Sequence, residues 1–138
     1  MPHLEMRIDS IRTGARLGNK RVLLLKQKSA DRYLPIYIDA RYADVIMQML
    51  RGQQSFEFID DKILVKLSKL VDMADSVSLV IDGFEKGVFH AKLIVNRSGK
   101  SFSIECPIGK ALALCTKANG QIFAEEGVLD EAGITTKA

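Results

Sequence analysis

The chain has 138 residues, which is the length of one ordinary domain and enough to bury a substantial core. Hydrophobic residues make up 47% and charged residues 27%, which excludes a disordered chain, and no apolar run approaches the roughly 20 residues of a membrane span. The net charge of +3 is a mild basic excess spread along the chain, which lacks the dense basic stripe typical of a nucleic-acid binder; it permits contact with phosphates and does not argue for it.

The first half is predicted to contain three strands followed by two helices. The apolar alternation of "MRIDSI" predicts the first strand, "RVLLLKQK" a buried second strand and "RYLPIYID" a third. Pro35 cannot donate a ladder hydrogen bond, so we expect the third strand at a sheet edge or at a bulge. A helix follows over about 40–50 and stops before Gly52, and "DDKILVKLSKLVDM" has the apolar spacing of a second helix.

The second half repeats the order of three strands and then a helix. Strands are predicted for "SVSLVIDGF", "VFHAKLIVN" and "SFSIEC", which are joined by two tight turns. The segment "GKALALCTKA" predicts a helix that ends at Asn119 and Gly120. After it, "QIFAEE" is a short apolar-alternating piece and "GVLDEAGI" predicts a last helical turn or two.

The two halves overlay when Ala43 is aligned with Ala111, because apolar strand and helix positions then coincide and Gly52 meets Gly120. The overlay predicts a duplicated unit of three strands plus helices. We therefore expect a single α+β domain with a mostly antiparallel sheet and packed helices. The predicted domain spans 6–134, with pseudo-repeats at about 6–73 and 76–134.

Two sets of motifs resemble the signatures of the bifunctional nuclease domain family. The segment "RYLPIYIDARYADVIMQMLRG" is similar to the first signature, and "SIECPIGKALALC" followed by "QIFAEEGVLDEAGI" is similar to the second. The likeness extends from about Met6 to Ile134, with the motifs in matching order. The resemblance implies the duplicated fold, degradation of DNA or RNA, and a homo-oligomeric assembly.

The sequence departs from these signatures at their acidic positions. Tyr42 stands where the family has a Glu, and Lys110 stands where it has an Asp. The Thr-His-Asp stretch between the halves of the family falls on Ile59, Asp60 and Asp61, so its His is replaced. A lysine in place of an aspartate reverses the local charge, which disfavours a divalent cation held by carboxylates.

Four carboxylates are candidates for catalysis. Hydrolysis of phosphodiester bonds usually requires carboxylates that hold metal ions, here Mg²⁺ or Mn²⁺, which activate water. The candidates near the motif positions are Asp39, Asp60, Asp61 and Glu105, with Asp60 and Asp61 as the metal ligands. Structural alternatives are N-caps for Asp39 and Asp60, a solvated first-turn acid for Asp61 and a solvent-facing strand residue for Glu105.

Basic residues at two predicted turns are candidates for nucleic-acid binding. Lys20 and Arg21 lie at one turn, and Arg97 and Lys100 lie at the other. At these positions they would contact the phosphate backbone of DNA or RNA rather than base edges. The alternative is that both are ordinary solvated turns.

The remaining chemistry-bearing residues favour structural roles. Cys106 and Cys115 are predicted to be buried thiols, since two cysteines form no disulfide framework and lack metal-ligand spacing. His90 lies within a strand, and no neighbour in the sequence suggests a partner for general-base catalysis. The first ten residues lack a basic-then-apolar leader, so we expect a cytoplasmic protein with no membrane partner.

Two functional hypotheses remain open at this point. The first is a metal-assisted nuclease, which the family resemblance favours. The second is a non-catalytic divergent member that serves as a binding or oligomeric assembly module, which the charge reversal at Lys110 favours. Aromatic residues between the halves, Phe56 and Phe58, would suit a contact between subunits.

Overall fold

A computed structural model describes residues 2–53 and 61–135 of the chain. Seven strands and four helices form within these ranges, so the predicted α+β class is confirmed. The elements in chain order are β1 His3–Arg12, β2 Lys20–Gln27, β3 Tyr33–Asp39, α1 Ala40–Leu50, α2 Lys62–Asp72, β4 Ser76–Glu85, β5 Val88–Arg97, β6 Lys100–Glu105, α3 Ile108–Lys117, β7 Gln121–Glu125 and α4 Glu126–Ala132.

All seven strands belong to one sheet with the order β3-β2-β1-β7-β4-β5-β6. Neighbouring strands run antiparallel except β4 and β7, which are parallel. The prediction of a mostly antiparallel sheet is therefore confirmed. Three strands followed by a helix occur in both halves, as β1-β2-β3-α1 and as β4-β5-β6-α3. The descent of the two halves from one duplicated unit stays a prediction.

The edge position of β3 agrees with the presence of a proline. Pro35 is paired with Leu24 of β2, and β3 is the last strand of the sheet on that side. A proline is tolerated there because no further strand requires its missing N–H. The opposite edge is β6.

The strand β7 joins the two halves in the middle of the sheet. It pairs with β1 on one side and with β4 on the other, and Ile122 and Ala124 are buried in the core. The sequence predicts only a short apolar-alternating piece here. Its central position depends on two strands that are distant in the sequence, so local periodicity does not reveal it.

Aspartates cap the first two helices. Asp39 accepts a hydrogen bond from the Arg41 amide at the start of α1, which agrees with the structural alternative given for this residue. The cap of α2 is Asp61, whose side chain accepts from the Leu64 amide. The prediction that Asp60 provides this cap is wrong by one residue, and Asp60 itself lies outside the described residues.

The core lies where buried strand residues meet α1, α3 and the buried residues of α2 and α4. Its fully buried side chains include Leu23, Ile36, Leu64, Leu79 and Leu112. Helices α1 and α3 pack against each other, and α2 packs against α3. Within the described part of the chain, no helix has the length and apolar character needed to cross a membrane.

The two glycines that the overlay aligns have different physical roles. Gly52 follows α1 with a φ of +83°, a left-handed conformation that glycine adopts without a side-chain clash. Gly120 allows a close approach instead, because a Cβ there would lie 2.4 Å from the Val77 carbonyl oxygen and 2.8 Å from Cys115 Sγ. The left-handed residue after α3 is Asn119, with a φ of +53°.

Candidate functional site

The N-terminal ends of three helices contribute to one hydrogen-bonded group of side chains. Tyr42 lies in the first turn of α1, Asp61 caps α2, and Lys110 lies in the first turn of α3. The Tyr42 hydroxyl donates to Asp61 Oδ2 at 2.6 Å. The Nζ atom of Lys110 lies 3.2 Å from the same oxygen. We name this group the Tyr42–Asp61–Lys110 cluster.

A glycine allows α1 and α3 to approach closely at the cluster. A Cβ on Gly109 would lie 3.2 Å from Tyr42 Cδ2 and 3.7 Å from the Ile38 side chain. Gly109 is itself buried beside these groups. Its position immediately before Lys110 therefore lets the lysine lie beside the Asp61 carboxylate, which caps α2.

The Asp61 carboxylate is almost fully removed from solvent, with 8% of its side chain exposed. Burial by itself would raise the pKa of this carboxyl group. Hydrogen bonds from Tyr42, from the Leu64 amide and from Lys110 outweigh burial and lower the pKa to about 2. Asp61 is therefore an anion whose charge is balanced within the cluster rather than by solvent.

Tyr42 is held in its neutral form by the same contacts. Burial and the hydrogen bond to Asp61 raise the pKa of the Tyr42 hydroxyl far above its usual value. The Arg41 guanidinium lies 4.8 Å from the centre of the Tyr42 ring, in the geometry of a cation–π contact. The side chain thus acts as a hydrogen-bond donor and a packing group.

The cluster does not fit Mg²⁺ or Mn²⁺. Each Asp61 oxygen already accepts from the protein, Oδ1 from the Leu64 amide and Oδ2 from Tyr42. A divalent ion would also meet the Lys110 ammonium beside Oδ2, whereas these ions prefer several oxygen ligands of negative charge. Within residues 2–53 and 61–135, no three His, Cys, Asp or Glu side chains are grouped so that they could hold a metal ion.

The other predicted acids lie in different surroundings. Asp39 caps α1 and lies 3.8 Å from the Arg41 Nε atom. Glu105 is exposed at the end of β6, where it lines a separate cavity of about 610 Å³ together with His90 and Lys92. The structure therefore does not bring Glu105 into the cluster. Asp60 lies outside the described residues.

The four basic candidates form two separate groups. Lys20 and Arg21 begin β2, while Arg97 and Lys100 flank the turn between β5 and β6. Three strands of the sheet lie between β2 and β5. Arg21 donates to the carbonyl oxygens of Gly18 and Lys20, so its guanidinium already has partners in the protein.

Both cysteines are buried thiols, as predicted from the sequence. Burial raises the pKa of Cys106, against an opposing effect of Lys110, and burial raises the pKa of Cys115 to about 12. Neither thiol therefore has the lowered pKa of a reactive nucleophile. His90 is exposed and lies 3.7 Å from Glu85, a partner that its sequence context did not suggest.

Tyr42 and Lys110 are the site residues that residue chemistry alone did not select. Neither carries a carboxylate, and neither stands in a spacing typical of a catalytic site. The signal that identifies them is their alignment with the acidic positions of the two signatures, together with Asp61 at the third position. The structure brings all three positions into contact.

Comparison with known proteins gives the same relationship as the motifs. The model of the bifunctional nuclease domain matches residues 22–137. Two uncharacterised proteins, from the CDC 1551 and H37Rv strains of Mycobacterium tuberculosis, are each 28% identical to this chain over 130 residues. Each alignment covers 94% of this chain and 76% of the relative.

The low pKa of Asp61 predicts a pH dependence of stability. Folding favours the charged carboxylate, so the stabilisation is complete above the ordinary carboxyl pKa of about 3.9 and is lost as the pH falls towards 2. In urea titrations, we expect the difference in unfolding free energy between the wild type and Asp61→Asn to shrink from pH 5 to pH 2. An equal difference at all pH values would contradict this prediction. Asp44→Asn is the control, since Asp44 is exposed on α1.

Proposed function

The chain belongs to the bifunctional nuclease domain family, and from this premise we propose that it is a non-catalytic member that serves as a binding or assembly module. The observation that carries the proposal is the Tyr42–Asp61–Lys110 cluster. Two positions that align with acidic residues of the family hold Tyr42, a neutral hydrogen-bond donor, and Lys110, a cation. Both contact the Asp61 carboxylate. That arrangement stabilises the meeting of three helices and leaves little negative charge for a metal ion.

The electrostatics of the cluster support this proposal. Two-metal hydrolysis of phosphodiester bonds uses several carboxylates that converge on ions roughly 4 Å apart. Here the negative charge of Asp61 is offset by Lys110, and its oxygens accept hydrogen bonds from Tyr42 and the Leu64 amide. A cation at Asp61 Oδ2 would have to displace Tyr42 and Lys110, which would leave a buried hydroxyl and an ammonium without their acceptor.

The second candidate function is a metal-assisted nuclease acting on DNA or RNA, which family membership favours. In that case Asp60, Asp61, Asp39 and Glu105 would be the acidic residues, and Mg²⁺ or Mn²⁺ the metal. The basic side chains at the two turns would contact the phosphate backbone. The homo-oligomeric state and the cytoplasmic location stay predictions under either function.

A cleavage assay separates the two functions. Purified protein is incubated with single-stranded DNA and with RNA in the presence of Mg²⁺, Mn²⁺ or a chelator. We expect no cleavage above the buffer control, because the cluster offers a metal ion one neutralised carboxylate. An Asp60→Asn/Asp61→Asn double variant and an Asp44→Asn variant are assayed in parallel.

The variants decide how any cleavage is interpreted. Metal-dependent cleavage by the wild type and Asp44→Asn that the double variant loses would overturn the non-catalytic proposal and establish the nuclease. Equal cleavage by all three proteins would identify a contaminating nuclease. Further purification of the protein would then be expected to remove the cleavage. Circular dichroism of each variant checks that a loss of activity does not reflect unfolding.

A further inference from the structure

A cavity of about 490 Å³ opens between the edge strand β3, the turn between β4 and β5, the start of α3 and the end of α4. Its size falls within the range of about 300–1,000 Å³ that is typical of small-molecule sites. Its lining is mainly apolar and includes Phe84, Phe89 and Ile108. The cavity is distinct from the Tyr42–Asp61–Lys110 cluster, none of whose three side chains lines it.

Part of this lining is firmly positioned and part is left in contact with water. The rings of Phe84 and Phe89 lie 4.5 Å apart between centroids at an angle of 46°, and both residues pack against the hydrophobic core. Tyr37 and Val88, on the same lining, remain 63% and 56% exposed. A ligand that covered these two side chains would remove apolar surface from water, which favours binding.

One acidic side chain supplies the charge of the lining. Glu131 belongs to α4 and is exposed, and within the described part of the chain no ion pair or hydrogen bond of its carboxylate is found. Its neighbour Asp130, by contrast, pairs with Arg32 at 2.8 Å. Among the described residues, the lining therefore combines an apolar surface with one negative charge that has no cationic partner, and it also includes the aromatic side chain of Tyr37.

We propose that this cavity binds a small organic amine, with an aromatic or branched aliphatic body against Phe84, Phe89 and Ile108 and an ammonium group beside Glu131. The inference rests on the proposed binding function and names a ligand class for it. Charge complementarity selects the amine over a carboxylate or a phosphate, both of which Glu131 would repel. The apolar lining selects it over a sugar or a free metal ion, which would bury less apolar surface than an aromatic or branched aliphatic body.

The ligand would lie close to the start of α3. Ile108 lines the cavity, and the next residue, Gly109, packs against Tyr42. Binding is thus expected to alter the amide signals of Gly109 and Lys110 in addition to those of the lining. This gives the experiment an internal check on where the ligand lies.

Three probes of similar size test the proposal on the whole protein. The probes are 3-phenylpropylamine, 3-phenylpropanol and 3-phenylpropionate, each titrated while the amide signals are followed by two-dimensional NMR. We expect the amine to shift Gly87, Val88, Ile108 and Ala132, and to bind about fivefold more tightly than the neutral alcohol. The carboxylate probe is expected to bind more weakly than the alcohol.

Two glutamate variants on α4 isolate the contribution of the charge. Glu131→Gln is expected to reduce the affinity for the amine to that for the alcohol. Glu126→Gln removes the same charge from the exposed first turn of α4, outside the cavity lining, and is expected to keep the preference. Val88→Lys, at an exposed position of the lining, is expected to weaken binding of the amine without unfolding the protein.

Equal binding of amine and alcohol by the wild type, or shifts that lie away from the cavity, would overturn the proposal. Sedimentation of the free protein at increasing concentration adds a second test, because a second copy that covered Tyr37 and Val88 would also block the amine. The cleavage assay is independent of these measurements. Metal-dependent cleavage would overturn the proposed function without affecting the result of the amine titration. Absence of amine binding would overturn only the proposed ligand site.

Discussion

Replacement of Asp61 by alanine is expected to lower the free energy of unfolding by about 3 kcal/mol, because the breaking of a buried, charged hydrogen-bond network usually costs 3–5 kcal/mol. Three donors lose their acceptor at once: the Tyr42 hydroxyl, the Lys110 ammonium and the Leu64 amide. The helix α2 also loses its N-cap. Urea denaturation at pH 7, followed by circular dichroism, measures the change.

The matched control for this substitution is Asp39→Ala. Asp39 also caps a helix through one backbone amide, but its only ion-pair contact, within the described residues, is with the partly exposed Arg41. We expect a loss of about 1 kcal/mol, the usual cost of removing an N-cap. If the two substitutions lower the free energy of unfolding equally, the Tyr42–Asp61–Lys110 cluster contributes nothing beyond the cap. The inference that the cluster stabilises the junction of three helices would then be wrong.

Replacement of Gly120 by alanine is expected to cost about 3 kcal/mol of unfolding free energy, at the upper end of the usual cost of overpacking. A Cβ at this position would lie 2.4 Å from the backbone carbonyl oxygen of Val77 and 2.8 Å from Cys115 Sγ. The carbonyl belongs to β4, in the middle of the sheet, so it cannot move aside without disturbing strand pairing. Thermal and urea denaturation both report this loss.

Gly14→Ala provides the comparison for a glycine with free space around it. The nearest atom to a Cβ on Gly14 would be a Leu17 side-chain carbon at 3.6 Å, which is ordinary van der Waals contact. We expect its stability to stay within about 0.5 kcal/mol of the wild type. A destabilisation of Gly14→Ala equal to that of Gly120→Ala would show that loss of glycine, rather than the contact with Val77, causes the effect.

Much of the element order could be predicted from the sequence because the signals are local. A continuous apolar run marks the strand β2, alternation of apolar residues marks β3, and helical spacing marks α1 and α2. A proline within β3 indicates a sheet edge, since the ring removes a donor whatever the rest of the fold does. The N-cap of α2 was predicted at Asp60 instead of Asp61, because both residues offer the same side-chain chemistry and only backbone geometry distinguishes them.

The central position of β7 and the convergence at the candidate site depend on tertiary structure. Tyr42, Asp61 and Lys110 come from three helices, and nothing in their local sequence requires that their side chains touch. Alignment with the family signatures identifies the three positions but not the contact between them.

The sequence by itself thus determined the fold class, the family and the replacement of two acidic signature positions by tyrosine and lysine. Only the tertiary structure decided that Tyr42 and Lys110 both contact Asp61, that Glu105 lines a separate cavity, and that Glu131 lines an apolar cavity. The physical reason is the range of the interactions. Backbone propensity and apolar periodicity act over a few neighbouring residues, whereas charge compensation and cavity shape arise where distant elements pack together.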